Sequence, residues 1–333
     1  MAEKEFKFID LCAGVGAGHY AFKLLGGECI GFSEIDPSAE RTYRYLHGDY
    51  QNYGDLMEIE ASRLPAFDGL LAGFPCQSFS VVGKRKGLID PRGKVIYGIT
   101  NILKQAKPKF FLLENVKGLL SIDSGRTFNF IIELLSSAGY KTFSEVLNSM
   151  YYDVPHSRER IYIVGFRNDL NVQEFDFPKP SPIKDLREYL IDRDPQHILS
   201  GPPLDTFKNN YLHNKYNQGA VSYEKILKTD YLVIDTRQSD LRIYENFVPT
   251  IRTGRQGILY VRDGILRKLS GYEAFLLQGF GNLSSKTTSA SIPNSKLLAQ
   301  AGNAMTVNVM SRIGKIMLEL LNAKSERLSG TGI

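Results

Sequence analysis

The segment Phe67-Asp68-Gly69-Leu70-Leu71-Ala72-Gly73-Phe74-Pro75-Cys76-Gln77-Ser78-Phe79-Ser80 joins an apolar, strand-like run to a cysteine in a loop. Further along the chain, Phe110-Phe111-Leu112-Leu113-Glu114-Asn115-Val116 repeats this design and brings a carboxylate to the end of an apolar run. Parallel strands present their carboxyl ends at one edge of a sheet, so the two runs can bring Cys76 and Glu114 together. We therefore interpret Cys76 as a nucleophile in a loop and not as a thiol of the core.

Short apolar runs alternate with helix-like stretches through the first half of the chain, which predicts crossovers between parallel strands. The predicted strands are Phe6–Leu11, Glu28–Glu34, Gly69–Gly73, Phe110–Glu114, Lys141–Asn148 and Arg160–Arg167. The predicted helices between them include Ala17–Leu25, Pro37–Leu46 and Thr127–Ala138. This order of elements predicts an α/β fold with a doubly wound, mostly parallel sheet.

The composition of the sequence changes at Phe177-Pro178-Lys179-Pro180-Ser181-Pro182, and the segment that follows has little hydrophobic periodicity. We predict a first domain over residues 1–177 and a smaller second domain over residues 178–265. Helical periodicity returns in Ser270–Leu277 and Ala304–Leu321. We expect the segment 266–333 to end in a helix that packs on the first domain.

Composition limits the classes of protein to which the chain can belong. It has 333 residues, 43% of them hydrophobic, a formal net charge of +5 and a pI of about 8.9, so an anionic partner is compatible with it. Three scattered cysteines do not predict a disulfide framework or a metal site. The N-terminus has no apolar signal core and no apolar run spans a bilayer, so we expect a cytoplasmic protein without membrane contact.

Glycines follow the first predicted strand in Asp10-Leu11-Cys12-Ala13-Gly14-Val15-Gly16-Ala17-Gly18, where they let the backbone approach a ligand closely. A tight turn without a ligand would give the same pattern. Two acids extend it: Glu34 closes the second strand and is suited to bind a ribose, and Asp55 follows the third apolar segment. A dinucleotide dehydrogenase could share the glycines and one acid, but it would not predict Pro75-Cys76 or Glu114-Asn115.

A pair of arginines lies where the chain enters the last predicted strand, in Pro155-His156-Ser157-Arg158-Glu159-Arg160. Strand alternation would place Arg158 and Arg160 on one face. Each candidate has an ordinary structural alternative: a buried cysteine, a glutamate that caps a helix, or a solvated arginine pair. The order and spacing of these residues favour a shared catalytic site.

These motifs together closely resemble the DNA (cytosine-5) methyltransferase family of bacterial type, and the resemblance covers nearly the whole chain. It implies that Cys76 attacks carbon 6 of cytosine and that Glu114 neutralises ring nitrogen 3. It further implies that Arg160 holds the cytosine carbonyl and positions Glu114, while Arg158 stabilises neighbouring charge. Here His156 replaces the Gln that usually begins the family's Gln-x-Arg-x-Arg motif.

The resemblance implies S-adenosyl-L-methionine as cofactor, with Glu34 on the ribose hydroxyls and Asp55 on the adenine amino group. The residues that it assigns to cofactor binding are Asp10, Cys12, Ala13, Gly14, Gly16, Glu34, Ile35, Asp55, Leu56, Pro75 and Asn303. Cys12 and Ile35 replace the family's usual aromatic residues, so we expect van der Waals contact with adenine from Ile35 and Leu56. Ala304 replaces a common Ser beside Asn303.

A base inside a duplex must be flipped out to reach the nucleophile, and we expect two regions to grip the DNA. One is a basic, glycine-hinged lid after Cys76, and the other lies in the second domain, where a Thr250-Ile251 pair resembles the family's Thr-Leu pair. The residues predicted to bind nucleic acid are Gln77, Ser80, Lys84, Arg85, Lys86, Arg237, Gln238, Arg242, Thr250, Arg252 and Arg255. Arginine and glutamine can read guanine and adenine edges, although any one of these arginines could contact phosphates alone.

The sequence therefore predicts a sequence-specific DNA cytosine-5 methyltransferase of restriction–modification or orphan type. A transfer-RNA cytosine-5 methyltransferase is the nearest alternative, and the basic lid and arginine-rich segment favour double-stranded DNA over it. A catalytically dead DNA-binding module is a third reading, which the intact Cys76, Glu114, Arg158 and Arg160 disfavour. We expect a monomer, and a cognate restriction endonuclease that forms no stable complex with it.

Overall fold

The computed structural model describes residues 6–74, 95–213, 221–289 and 291–330. They form two compact units. Unit 1 takes the described residues up to Leu147, Glu159–Lys179 and those from Met305 onward, and unit 2 takes Asn148–Arg158 and Pro180–Ala304. The main change of unit lies near the predicted boundary at residue 177, but residues 266–304 belong to unit 2. Of the segment 266–333, only the described residues from Met305 onward belong to unit 1.

The described strands and α-helices alternate up to residue 148, and two further strands follow up to residue 167. In chain order they are β1 (Lys7–Leu11), α1 (Ala17–Lys23), β2 (Glu28–Ser33), α2 (Pro37–His47), β3 (Gly69–Gly73), α3 (Val95–Ala106), β4 (Phe110–Val116), α4 (Arg126–Ser137), β5 (Tyr140–Asn148), β6 (His156–Ser157) and β7 (Glu159–Arg167). The elements that follow are α5 (Pro202–Phe207), α6 (Tyr223–Leu227), β8 (Val233–Asp235), β9 (Arg242–Tyr244), β10 (Val248–Pro249), β11 (Ile258–Arg262), β12 (Ile265–Lys268), α7 (Gly271–Leu277), α8 (Lys286–Ser289), α9 (Asn294–Asn303) and α10 (Val307–Gly330). None of the helices in the described ranges is long and apolar enough to cross a membrane.

Unit 1 is built on a six-stranded sheet with the strand order β2-β1-β3-β4-β7-β5. The pairs β1–β2, β1–β3 and β3–β4 are parallel, whereas β7 runs antiparallel to β4. The central strands β1, β3 and β4 are buried along most of their length, as is typical of a sheet that is covered on both faces. The predicted doubly wound, mostly parallel sheet is confirmed.

Strand β4 is longer than predicted, and this changes the setting of Glu114. The strand continues to Val116 because Asn115 and Val116 pair with Ile161 and Arg160 of β7. Glu114 therefore lies inside a strand and not at its end, which corrects the prediction. Its register partner on the other side is Gly73, the last residue of β3, so Glu114 lies level with the carboxyl end of that strand.

Local sequence signals explain how the helices next to the sheet begin. Asp36 caps α2 by accepting hydrogen bonds from the backbone N–H groups of Ser38 and Ala39, and Pro37 occupies the first turn. The buried face of α2 then carries Tyr43, whose ring stacks on Phe32 of β2 with a centroid separation of 3.7 Å. The chain turns from β2 into α2 at the edge of the sheet where the glycine loop also lies.

Unit 2 contains a four-stranded sheet with the order β12-β11-β8-β9 and a short parallel pair of β10 with β6. Its buried cluster includes Phe207, Ile234 and Leu259. Glu273 in α7 is fully buried, and its carboxylate accepts hydrogen bonds from the N–H of Asp192, the hydroxyl of Tyr260 and the N–H of Ser270. These contacts join α7 to strand β11 and to the 180–200 segment, which explains why residues beyond 265 fold with unit 2.

The buried carboxyl of Glu273 predicts a pH-dependent stability. Burial raises its pKa from 4.5 to about 7, so its contribution to stability is complete below pH 4.5 and is lost as the pH rises through 7. We expect this loss to amount to about 3 kcal/mol in the wild-type protein and to be absent from Glu273→Gln. Urea unfolding across this pH range measures how the free energy of unfolding of each protein changes with pH. Equal changes in the wild type and in Glu273→Gln would contradict this role for Glu273.

Candidate functional site

The glycine loop between β1 and α1 has a backbone that only small residues accept. Gly14 and Gly16 have φ values of +57° and +82°. A Cβ atom on Gly16 would lie 2.5 Å from Nε2 of His47, so this position requires glycine. A Cβ atom on Gly14 would meet no described atom within 4 Å, so the loop is open at that point.

Glu34 holds this loop from the end of β2. Its Oε2 accepts a hydrogen bond of 2.7 Å from the N–H of Gly14, and its Oε1 accepts bonds of 2.8 Å from the N–H groups of Ile35 and Asp36. The side chain of Asn52 bonds to both the N–H and the carbonyl of Glu34. Asn52 was not among the predicted site residues, because an isolated asparagine in a loop gives no sequence signal.

The second acid lies close in sequence to this asparagine. Asp55 accepts a hydrogen bond from the N–H of Met57, and the neighbouring carbonyl of Gly54 accepts one from the hydroxyl of Ser33 in β2. Ser33 and Asn52 therefore tie the segment that carries Asp55 to the end of β2. Glu34 and Asp55 thus occupy the same edge of the sheet as the glycine loop.

Asp10 of β1 is a buried polar residue directly before the loop. Its Oδ2 accepts a hydrogen bond from the N–H of His19, while its Oδ1 has no hydrogen-bond partner among the described residues. Burial raises the pKa of Asp10 to about 8, so the carboxyl is mostly protonated at neutral pH. An open glycine turn beside a buried polar atom fits a ligand with polar groups, and these residues could hold the predicted cofactor.

The apolar residues predicted to contact the cofactor have very different exposures. Ile35 is 70% exposed, whereas Leu56 and Ala13 are buried. Cys12 has a left-handed φ of 49°, and burial together with Glu34, Asp10 and Asp55 raises the pKa of its thiol to about 12. Cys12 is therefore a small apolar group and not a reactive thiol.

Glu114 and Arg160 form an ion pair across strands β4 and β7. Nε of Arg160 lies 3.1 Å from Oε1 of Glu114, and both side chains are largely buried, with 13% and 8% of their surface exposed. Nη1 of Arg160 donates to the carbonyl of Glu159, which fixes the guanidinium. Partial burial strengthens this pair because less water screens it. The predicted positioning of Glu114 by Arg160 stays a prediction, and this ion pair is the contact that it requires.

Asn115 is a site residue that the predicted set did not contain. Its buried side-chain amide donates a 2.9 Å hydrogen bond to the carbonyl of Phe74, the residue directly before Pro75. Its own oxygen accepts from the N–H of Val116. The Glu-Asn-Val motif was the available signal, since a buried asparagine normally satisfies backbone groups.

Some predicted residues lie outside the described part of the chain. They are Pro75, Cys76, Gln77, Ser80, Lys84, Arg85 and Lys86. Their roles stay predictions. The described backbone nevertheless leads to them from Gly73, which is the register partner of Glu114.

Arg158 belongs to unit 2, where its buried guanidinium donates to the carbonyls of Gly302 and Ala304 at the end of α9. These contacts are structural, and the predicted stabilisation of charge by Arg158 stays a prediction. Asn303 lies at the same helix end, where its side-chain oxygen accepts a hydrogen bond from the hydroxyl of Thr253. The predicted cofactor contact of Asn303 also stays a prediction.

The residues predicted to read DNA differ in how their side chains are used within unit 2. Arg237 is buried and forms a two-pronged ion pair with Asp235, with N–O distances of 2.6 and 2.7 Å. Arg242 is paired with Asp240, and Gln238 is half-buried. Arg252 and Arg255 are exposed, and both line a cavity of about 460 Å³. Their exposure makes these two arginines the better candidates for contact with a partner.

Type II methyltransferases of bacteria are similar to this chain over almost its full length. M.HaeII of Haemophilus aegyptius is 35% identical over 98% of this chain and 96% of its own length. M.HpaII of Haemophilus parainfluenzae is 37% identical, with 96% of this chain and 90% of that protein covered. Both comparisons extend through the two units.

Solved structures confirm the fold. A putative DNA modification methyltransferase encoded within a prophage of E. coli superposes with a TM-score of 0.72 at 20% identity and covers 95% of this chain and 99% of that chain. The S. pombe Dnmt2 methyltransferase superposes with a TM-score of 0.69 at 18% identity, and the match covers 96% of this chain and 100% of that chain. At these identities the likeness concerns the fold alone.

The hydrogen bond between Asn115 and Phe74 predicts a measurable loss of stability. Replacing Asn115 by Ala leaves the Phe74 carbonyl without its donor, and we expect the free energy of unfolding to fall by about 1–3 kcal/mol. Asn101→Ala on the exposed face of α3 is the matched control, with an expected change below about 0.5 kcal/mol. Urea unfolding of the two variants measures the difference, and equal effects would contradict this role for Asn115.

A sequence profile described as C-5 cytosine-specific DNA methylase matches residues 6–319. That range includes the glycine loop, the Glu114–Arg160 pair and most of α10. The prediction of a DNA cytosine-5 methyltransferase is confirmed by this match and by the bacterial relatives, which disfavour the transfer-RNA alternative. The chain belongs to the C-5 cytosine-specific DNA methylase family.

Proposed function

We propose that this enzyme transfers a methyl group from S-adenosyl-L-methionine to carbon 5 of a cytosine flipped out of double-stranded DNA, with Cys76 as nucleophile. The observation that carries this proposal is the buried Glu114–Arg160 pair, which lies level with the end of the strand that leads to Cys76. A carboxyl group and a guanidinium at this place can bind a flat ring with an acceptor nitrogen beside a carbonyl. Cytosine has these two groups next to each other.

The proposed reaction begins when the Cys76 thiolate attacks carbon 6 and forms a carbon–sulfur bond. The electron pair of the carbon 5–carbon 6 bond then moves into the ring, and the Glu114 carboxyl transfers a proton to nitrogen 3. Arg160 donates to the carbonyl oxygen, where negative charge develops. Carbon 5 becomes nucleophilic and takes the methyl group. Loss of the carbon 5 proton to a base then expels the Cys76 thiolate, and nitrogen 3 returns its proton to Glu114, which restores the neutral aromatic ring.

The glycine loop of unit 1 is the proposed site for S-adenosyl-L-methionine, which supplies the methyl group when bound. Glu34 would accept from the ribose hydroxyls, and Asp55 would accept from the adenine amino group. The exposed Ile35 would cover one face of the adenine. The buried Oδ1 of Asp10 would bind a polar group of the amino-acid end.

Unit 2 is proposed to recognise the DNA. Its exposed Arg252 and Arg255 can contact base edges or phosphates. The guanidinium of Arg237, by contrast, donates hydrogen bonds to Asp235 and to the carbonyl of Thr250. We therefore assign Arg237 to the support of Thr250 and not to base reading. The predicted contacts of Gln238 and Arg242 with DNA remain part of the proposal.

The cellular setting is proposed from the relatives. Type II methyltransferases are named for restriction–modification systems, so a cognate endonuclease that acts on the same site without a stable complex is the expected partner. We also propose that the protein acts as a monomer in the cytoplasm, where bacterial DNA is accessible. The proposed division of labour gives cofactor binding and chemistry to unit 1 and recognition to unit 2.

The function is tested by incubating unmethylated bacteriophage DNA with the purified enzyme and S-adenosyl-L-methionine and by mapping methylated cytosines with bisulfite sequencing. We expect one short recurring sequence to be modified. Cys76→Ser should bind the same DNA but show no turnover, because a hydroxyl is a far weaker nucleophile near neutral pH. Transfer RNA serves as the competing substrate, and preferential methylation of it would overturn the proposal.

Replacing Arg252 or Arg255 is expected to weaken DNA binding by an amount that depends on the DNA sequence. If either reads a guanine edge, its replacement by Gln should weaken binding to the cognate duplex by about 1–3 kcal/mol and leave binding to a scrambled duplex nearly unchanged. Arg187→Gln is the matched control because Arg187 is also exposed in unit 2, is paired with Asp185 and is not among the residues proposed to contact DNA. Binding is measured at two salt concentrations, and an equal loss on both duplexes with a smaller salt slope would identify phosphate contacts instead.

A further inference from the structure

Both sides of one peptide group in unit 2 are held by side chains. Nη1 of Arg237 donates a 2.6 Å hydrogen bond to the carbonyl of Thr250, and Nε2 of His156 accepts a 3.0 Å hydrogen bond from the N–H of Ile251. The carbonyl of Thr250 and the N–H of Ile251 belong to the same peptide bond. We call this arrangement, made by His156 and Arg237, the peptide clamp.

The clamp fixes the direction of the peptide and not only its position. Rotation of the peptide plane would break both hydrogen bonds at once and leave the part-buried carbonyl and the buried N–H unsatisfied. The Thr250 hydroxyl adds a third restraint, because it donates to the carbonyl of Ser157 at 2.6 Å. Strand β10 also pairs in parallel with β6, so the restraint begins directly before Thr250.

The chain that leaves the clamp is closely packed as well. A Cβ atom on Gly302 would lie 2.5 Å from the backbone of Arg252 and of Thr253, so the backbone of α9 approaches this segment as closely as glycine allows. Arg158 in turn donates to the Gly302 carbonyl. Arg252 therefore extends from a backbone that is held by elements far apart in sequence, although its side chain is exposed.

From this geometry we infer that His156 is a positioning residue for DNA recognition, acting through the Thr250–Ile251 peptide on the direction of Arg252. The inference rests on the proposed function, in which Arg252 contacts DNA. The ring nitrogen must accept a hydrogen bond, so the imidazole is neutral with its hydrogen on Nδ1. Glutamine can supply the same acceptor through its side-chain oxygen, whereas an apolar residue of similar size cannot.

The test compares His156→Gln with His156→Leu. The measured quantity is the ratio of kcat/KM for a duplex with the mapped methylation sequence to that for a duplex with one base pair changed. We expect His156→Gln to keep the wild-type ratio and His156→Leu to reduce it about tenfold, with a much smaller change in kcat on the cognate duplex. His197→Leu, which removes another buried imidazole from unit 2, is the matched control and should leave the ratio unchanged.

An unchanged ratio in His156→Leu, or an equal loss in His156→Gln, would overturn the inference. Absence of any DNA methylation by the wild-type enzyme would instead refute the proposed function. Hydrogen exchange decides the matter if His156→Leu does not fold. In the wild type and in His156→Gln the Ile251 amide should exchange at least about tenfold more slowly than the Thr253 amide, and equal rates would show that the clamp does not exist.

Discussion

The parallel pairing of β3 with β4 is the constraint on which the candidate active site depends. In this register Gly73 lies opposite Glu114, so the end of one strand and the carboxylate of the next share one edge of the sheet. Slipping the register by one residue would turn every side chain of β4 to the other face. The ladders of β4 with β3 and with β7 therefore fix the position of Glu114. Asn115 extends the same restraint past Gly73 by holding the carbonyl of Phe74.

Buried and half-buried polar groups in both units hold backbone that belongs to no regular ladder. Glu34 and Asn52 hold the glycine loop, Arg158 holds the end of α9, and His156 and Arg237 hold the segment before Arg252. Loops that bind ligands must keep their shape without the repeating hydrogen bonds of a sheet. Side chains with fixed geometry replace those bonds, so residues that never contact a ligand can still determine how a ligand is bound.

Much of unit 1 could be predicted from the sequence because its signals are local. Apolar runs located the strands to within a few residues, and the position of Glu114 was wrong only because β4 continues in its pairing with β7. Unit 2 was harder, because its limits depend on contacts between distant segments, such as those of Glu273 with Asp192 and Tyr260. No periodicity in the sequence reports such contacts.

The contacts of single arginines could likewise be predicted only where the partner is close in sequence. Arg237 follows Asp235, the last residue of β8, by two positions, and the two side chains form an ion pair. This spacing was a usable signal for an internal ion pair, and Asp240 with Arg242 repeats it. By contrast, nothing in the sequence indicates that Arg158 donates to carbonyls more than a hundred positions away.

The central claim is that a thiol at position 76 and the Glu114–Arg160 pair act on the same cytosine ring. A crystal structure of the wild-type enzyme trapped on a duplex that contains 5-fluorocytosine tests this claim most directly. The account predicts a bond from Sγ of Cys76 to carbon 6, with Glu114 in hydrogen-bond contact with nitrogen 3 and Arg160 in contact with the carbonyl oxygen. A ring bonded to another residue, or a Glu114 carboxyl out of reach of nitrogen 3, would contradict it.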